Sequence, residues 1–327
     1  MFASTPDLLR LLIIPILGWA AWRDIKTRRV PNETWIPLAI LAVSLFAWDA
    51  SVAYTASEFA RQLFTIRAGL SVGIVIPLSY LFWRIGGFGG ADAKALFVIA
   101  VLFPTFPVYR IADTVLPSVW TPLGVFSLTI LTNAVLIGIA YPVVLTLSNA
   151  LSGDISKVMF VGKRITWDEV TRSYGRILET SSGFTRGGLD IDALRMYLRY
   201  RGLTLEELRA NPNAFRDPAT LPAEPNHPGD GALADGGVEL EQSPKPDPAD
   251  PAAADPWGAQ AFLDDIDHWA YGTTPQQLRE GLDLLVTAEN VWISPGIPFI
   301  VPLFVGLLVA LSYGDVLFAI LEAIGLA

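Results

Sequence analysis

Stretches of apolar residues long enough to cross a membrane recur along this 327-residue chain. A membrane-spanning helix needs about 20 mostly apolar residues, and 52% of the residues here are hydrophobic. The fourth stretch is short and is interrupted by Pro104 and Pro107. The sequence therefore predicts an all-α polytopic membrane protein with six transmembrane helices, at about residues 6–22, 33–48, 67–86, 93–109, 123–147 and 295–314.

The positions of the basic residues predict how these helices are oriented. Lys and Arg are enriched in the cytoplasmic loops of membrane proteins. Six spans with an external N-terminus would place the more basic connections in the cytoplasm, and the alternate loops carry few such residues. The cytoplasmic connections would then hold Arg23, Lys26, Arg28, Arg29, Arg84, Lys94, Lys157, Lys163 and Arg164.

A long polar segment lies between the fifth and sixth apolar stretches. Its first half has the apolar pattern of a small mixed α/β fold, including a helix in LDIDALRMYLRYRG that ends at Gly202. A later part is rich in Pro, Gly and Asp, and it lacks the large apolar side chains that would offset the entropy cost of ordering. We divide the chain into a membrane core (1–149), a small cytoplasmic domain (150–216), a disordered acidic linker (217–258), cytoplasmic amphipathic helices (259–291) and the last transmembrane helix with the C-terminus (292–327).

The composition excludes several kinds of chemistry. The chain has no cysteine, which rules out disulfides, thiol catalysis and thiolate-bound zinc or iron–sulfur centres. Its two histidines, His227 and His268, lie outside the apolar stretches. The net charge of −9 argues against nucleic acid as a partner and would suit a cytoplasm of very high salt. We expect no metal and no cofactor, so carboxyl groups remain for acid–base work.

Two aspartates, Asp24 and Asp92, fall at the predicted cytoplasmic boundary of the first and fourth spans. A structural interpretation is open for each: Asp92 could cap its helix, and Asp24 could pair with Arg23 and Lys26. The functional interpretation uses both. Two carboxyl groups that share one water cannot easily both ionise, so one takes a proton from the water while the other polarises a peptide carbonyl.

The residues around the two aspartates offer ways to shape a site. Gly89, Gly90 and Ala91 precede Asp92, and glycines there would let a substrate backbone approach closely. Pro31 and Asn32 follow the first span, where Pro31 ends one element and Asn32 would cap the next. Lys94 would either contribute to the excess of basic residues on the cytoplasmic side of the membrane or pair with a carboxylate. These six residues are our candidates for shaping the site or binding substrate.

The pattern RDIKTRRVPN, followed at a distance by GGADAK, resembles the archaeal prepilin and preflagellin signal peptidases. These are membrane aspartic proteases of the GxGD type, and the resemblance covers most of the chain. It implies that Asp24 and Asp92 are the two catalytic aspartates, with Ala91 standing where the strict motif has glycine. It also implies peptidase activity alone, because the cysteine-rich zinc motifs of the bacterial enzymes that methylate the new N-terminus are absent.

The resemblance further implies the substrates: precursors of pilins and archaellins, each with a short basic leader before a hydrophobic helix. Two alternatives stay open. A transporter could use the same aspartates to bind cations or relay protons. A presenilin-like intramembrane protease is also of the GxGD type, although Asp24 lies at a helix end after Arg23 and the chain has no Pro-Ala-Leu motif.

Overall fold

The computed structural model describes residues 2–85, 87–233, 255–266, 270–296 and 299–326. It is mostly helical and divides into two compact units. The first unit comprises Met1–Tyr141 together with Ile297–Ala327, and the second comprises Pro142–Gly296. The chain passes from the first unit to the second within one long helix, which contains Pro142.

The first unit begins with seven helices and one β-hairpin. A π-helical segment, Ser71–Val75, makes the fourth and fifth helices continuous. The strands β1 (Tyr109–Ile111) and β2 (Thr114–Leu116) pair antiparallel. The helices are α1 (Thr5–Arg10), α2 (Ile13–Thr27), α3 (Trp35–Ala56), α4 (Glu58–Leu70), α5 (Ile76–Arg84), α6 (Gly90–Leu102) and α7 (Phe126–Leu151).

The second unit combines short helices with small sheets, as the apolar pattern indicates. Strand β7 is the centre of a three-stranded antiparallel sheet in which it pairs with β3 on one side and β4 on the other. Its strands are β3 (Lys163–Thr166), β4 (Arg176–Ile177), β5 (Glu179–Thr180), β6 (Gly183–Phe184) and β7 (Asn290–Ser294). Its helices are α8 (Trp167–Val170), α9 (Ile191–Arg201), α10 (Leu205–Ala210), α11 (Pro212–Arg216), α12 (Ala259–Asp265) and α13 (Pro275–Leu285).

The ends of the predicted disordered stretch, residues 217–258, are folded. Pro218–Thr220 form a 3-10 helix, and Trp257 is buried in the core of the second unit. The prediction of disorder is therefore wrong for these ends, because Trp257 is buried in that core and Leu221 packs against it. Residues 234–254, for which we predicted the same, lie outside the described residues, as does His268.

The chain returns to the first unit in α14 (Ile300–Ser312) and α15 (Val316–Ala323). Helix α14 packs against α2, and α6 packs against α3 and α5. Leu17 of α2, Leu96 of α6 and Leu307 of α14 are fully buried where these helices meet. The outward side of α3 is apolar as well, with Ile40 64% exposed, which is typical of a helix surrounded by lipid rather than water.

By length and hydropathy, three helices within the described residues could cross a membrane: Asn32–Ala56, Glu58–Arg84 and Phe126–Leu151. The other predicted spans are shorter. The first is divided between α1 and α2, and α6 ends at Leu102, just before Pro104. The chain is thus mostly helical, with three candidate membrane-spanning helices among the described residues.

Candidate active site

Asp24 lies in the last turn of α2, where its side chain is buried. The helix ends because Arg28 adopts a left-handed backbone conformation (φ 55°), and the Arg28 N–H donates to the carbonyl oxygen of Asp24 at 2.9 Å. This turn brings the Arg28 guanidinium close enough to interact electrostatically with the Asp24 carboxyl group. A helix C-terminus disfavours a carboxylate, and Arg28 offsets that penalty.

The basic residues that we expected to compensate Asp24 have other contacts. The Arg23 guanidinium lies over the ring of Trp19, 5.5 Å from its centroid, and the Lys26 amine lies 4.5 Å from the ring centroid of Trp22. Arg23 also donates from Nε to the carbonyl oxygen of Arg29 at 3.2 Å, which holds the loop after α2 in place. The prediction placed the compensating charge on Arg23 and Lys26, whereas the structure places Arg28 beside the carboxyl group.

Asp92 occupies the first turn of α6 and is also buried. The residue that caps this helix is Gly89, and the Gly89 N–H donates to Asp92 Oδ2 at 2.9 Å. The structural interpretation of Asp92 as the cap is therefore wrong in position, although one of its oxygens does satisfy the start of the helix. The other oxygen, Oδ1, is buried and has no hydrogen-bond partner among the described residues, so it is available to a ligand or a water.

Helices α2, α6 and α14 bring the two aspartates together. Asp24 interacts electrostatically with Asp92, and Arg28 is close enough to interact with both carboxyl groups. The backbone N–H of Ile300, in the first turn of α14, lies close enough to the Asp92 carboxyl group to interact with it electrostatically. A helix N-terminus favours negative charge, so this arrangement tolerates one ionised carboxylate in a buried place.

Three of the candidate shaping residues surround this pair in distinct ways. A Cβ atom on Gly89 would lie 3.0 Å from Asp92 Oδ2, tighter than nine in ten real contacts, so a larger residue there would require the Asp92 carboxyl group to move. A Cβ atom on Gly90 would lie 3.7 Å from the Trp83 Nε1 atom, an ordinary contact. Ala91 is partly buried and packs against the apolar core of the first unit.

The remaining three candidates join the loop after α2 to α6. Pro31 precedes a 3-10 helix formed by Asn32–Thr34, and the Asn32 side chain does not cap it. Instead, Asn32 Oδ1 accepts a hydrogen bond from the Lys94 amine. The prediction that Asn32 caps the next helix is therefore wrong. Its partner, Lys94, lies one turn from the start of α6, the helix that also carries Asp92.

Two groups at this site, Arg28 and the Ile300 N–H, were not among our candidates. Arg28 follows Asp24 by only four residues, so the sequence did place a basic residue near the carboxyl group, although Arg28 lies just beyond the end of α2. The Ile300 N–H is a backbone group far along the chain, and no side-chain pattern indicates it. Within the described ranges, no group of three or more His, Cys, Asp or Glu residues is arranged to hold a metal ion.

Comparison with known proteins identifies the family. The model of the type IV leader peptidase family matches residues 11–143, and that of the archaeal Peptidase A24 C-terminus, type II, matches residues 258–316. A preflagellin peptidase of Methanococcus voltae is 30% identical over 180 residues, which cover 53% of this chain and 71% of the relative. That of Methanococcus maripaludis is 28% identical over 163 residues, 47% of this chain and 67% of the relative.

The chain belongs to the type IV leader peptidase family. It is a protease, as the motifs around Asp24 and Asp92 predict, and the family removes leader peptides from precursor proteins. The comparisons thus favour the leader peptidase over the transporter and the presenilin-like protease. Both aspartates fall within the first matched segment of this leader peptidase, and Ile300 falls within the second.

Proposed function

We propose that this leader peptidase is an aspartic endopeptidase that cleaves leader peptides from pilin and archaellin precursors, with Asp24 and Asp92 as its catalytic residues. One observation carries the proposal. Two buried carboxyl groups from separate helices interact with each other in the same unit. Carboxyl groups buried within or at the edge of membrane spans are energetically costly, so membrane proteins rarely keep them there unless they have a function.

The two carboxyl groups share one proton at rest, and this proton belongs to the pair. The ionised carboxylate takes a proton from a water molecule, whose oxygen then forms a bond to the carbon of the scissile carbonyl. The protonated carboxyl group donates a hydrogen bond to the carbonyl oxygen, which gains the electron pair of the broken C=O π bond. When the C–N bond breaks, the leaving amine nitrogen takes a proton from the pair, and one shared proton remains.

The groups around the pair assist this chemistry by stabilising the negative charge of the two carboxyl groups. Arg28 keeps the total charge of the site near zero, because one guanidinium balances the single negative charge of the pair. The N–H group of Gly89 orients the Asp92 carboxyl group through its hydrogen bond, and the N–H of Ile300 adds a favourable electrostatic interaction. Asp92 Oδ1, which has no partner among the described residues, is the oxygen best able to contact the water.

We further propose that the chain spans the membrane six times, with its N-terminus outside and the active site and second unit in the cytoplasm. The distribution of Lys and Arg supports this orientation. The shorter helices α2, α6 and α14 would complete the bundle beside the three longer ones. The names of the two relatives support archaellin precursors as substrates, and the acidic composition supports a cytoplasm rich in salt.

A cleavage assay with three aspartate variants tests the proposal. Membranes that contain the protein are incubated with an archaellin precursor, and loss of the leader is followed by gel mobility. We expect Asp24→Asn and Asp92→Asn each to slow cleavage by a factor of about 100 or more, the scale of a lost general acid or base. Asp113→Asn, at an exposed position in the turn of the β1–β2 hairpin, is the matched control and should cleave like the wild type. Wild-type cleavage by either catalytic variant would refute the assignment.

A further inference from the structure

A groove of about 280 Å³ lies in the first unit, between α2, α7 and α14. Its walls include Ile25 from α2, Gly138 and Tyr141 from α7, and Val301, Pro302 and Val305 from α14. The lining is apolar apart from the Tyr141 hydroxyl group, and it carries no charged side chain. None of these residues has a role in the chemistry proposed above.

The groove is lined by residues that neighbour the aspartate site along the chain, although neither aspartate lines it. Ile25 directly follows Asp24 along the chain, and its side chain is 58% exposed. Val301 directly follows Ile300, whose N–H is close enough to interact electrostatically with Asp92. Tyr141 is close enough to interact electrostatically with Arg28, which itself interacts with both aspartates. Since residues of an extended chain are about 3.5 Å apart, a peptide cleaved at the pair can place a neighbouring side chain in the groove.

The packing of α7 against α14 explains why the groove is open. At Gly306 a Cβ atom would lie 2.7 Å from the backbone nitrogen of Ala134, so the two helices touch there and glycine is required. At Gly138, a turn further along α7, a Cβ atom would lie 4.0 Å from Pro302, and alanine would fit. Glycine inside a helix is destabilising relative to alanine, and neither backbone conformation nor close packing requires it at Gly138. Its effect is to keep the groove wide.

We infer that this groove is a specificity subsite that receives one large apolar side chain of the precursor next to the scissile bond. The inference rests on the proposed function, since it assigns the groove to the substrate of the same site. A volume of about 280 Å³ lies just below the range of about 300–1,000 Å³ that holds whole small molecules, and it suits a single side chain. A charged side chain would lose its hydration there without gaining a partner, and would be rejected.

Substrates that differ at one residue, combined with variants of the groove, test the subsite. Archaellin precursors carrying Ala, Leu, Phe or Lys on either side of the cleavage point are cut by the full-length enzyme in detergent. For one of the two positions, we expect the wild type to cut Leu and Phe substrates about tenfold or more faster than Lys, the discrimination typical of an apolar pocket. Gly138→Leu, which fills the groove, should lower kcat/KM for the Phe substrate about tenfold and leave the Ala substrate little changed.

Two further variants separate the subsite from a general loss of structure. Val305→Phe narrows the groove from the facing wall and should produce the same loss of preference for large side chains. Ile139→Phe adds comparable bulk on the exposed side of α7 and should keep the wild-type preference. An equal loss of activity for all substrates would overturn the subsite. No change with Gly138→Leu would also overturn it, and would indicate that a lipid chain rather than substrate occupies the groove. If wild type cleaves none of the precursors, the proposed function itself fails.

Discussion

At the scale of single residues, the candidate site depends on small differences in available space. Gly89 and Gly90 are adjacent glycines in one motif, yet their surroundings differ. Gly89 has an extended backbone conformation (φ −68°, ψ 158°) that any residue could adopt, so the reason for glycine there is space: a Cβ atom would lie 3.0 Å from Asp92 Oδ2. Gly90 has room for a methyl group. The motif therefore contains one glycine that positions the carboxyl group and one that does not.

We predict that Gly89→Ala slows leader cleavage by about tenfold to 100-fold, because the new methyl group displaces the Asp92 carboxyl group from its place at the start of α6. Gly90→Ala is the matched control and should stay within about twofold of the wild type. Cleavage rates and thermal unfolding of both variants should be measured in the same detergent. Equal rates for the two variants would contradict this account of the motif.

At the scale of elements, a buried charged cluster joins three helices of the first unit. Arg10, at the end of α1, is 3% exposed and pairs with Asp7 at 2.7 Å and with Asp49 of α3. Its Nε also donates to the carbonyl oxygen of Leu102, the last residue of α6, at 2.9 Å. The same helix α6 carries Asp92 at its opposite end. The cluster thus fixes the helix that holds a candidate catalytic residue.

Removal of Arg10 should strongly destabilise the fold. Arg10→Met leaves Asp7 and Asp49 without their buried partner, a change that typically costs about 3–5 kcal/mol. Arg61→Met removes an exposed pair with Glu58, which is worth about 1 kcal/mol or less, and serves as the control. The measurement is the free energy of unfolding in mixed micelles. A loss for Arg10→Met no larger than that for Arg61→Met would show that the cluster is not structural.

At the scale of the whole molecule, the orientation in the membrane decides which compartment holds the site. The chain contains no cysteine, so a single introduced cysteine can be labelled without background. Exposed positions are available in both units. Ser182 lies in the turn between β5 and β6 of the second unit, and Asp113 lies in the β1–β2 turn of the first.

We predict that Asp113→Cys is labelled by a membrane-impermeant thiol reagent added outside intact cells, and that Ser182→Cys reacts only after the cells are opened. This result follows from an external N-terminus and six spans, which place the two turns on opposite sides. Labelling of Ser182→Cys in intact cells would put the second unit outside and reverse the orientation. Both variants should first be shown to cleave precursor, so that the labelled protein is the folded enzyme.

The sequence by itself determined the features that depend on neighbouring residues. The apolar runs predicted the long helices, and Pro104 indicated the end of α6, whose last residue is Leu102. Gly202 ends α9 in a left-handed conformation (φ 65°) that glycine adopts without strain. It also singled out Asp24 and Asp92, since a carboxylate at the edge of an apolar helix is costly enough to need a reason. It overlooked Trp257 as a reason for local order, because one buried side chain depends on distant partners.

Only the tertiary structure decided which distant groups meet. Asp24 and Asp92 come together through three packed helices, and the Ile300 N–H interacts electrostatically with Asp92 although Ile300 is far along the chain. Lys94 donates to Asn32 rather than to a carboxylate. The groove at Gly138 depends on how α7 and α14 touch at Gly306. Local patterns fix where a helix begins and ends, whereas contacts between helices depend on packing that no short stretch of sequence specifies.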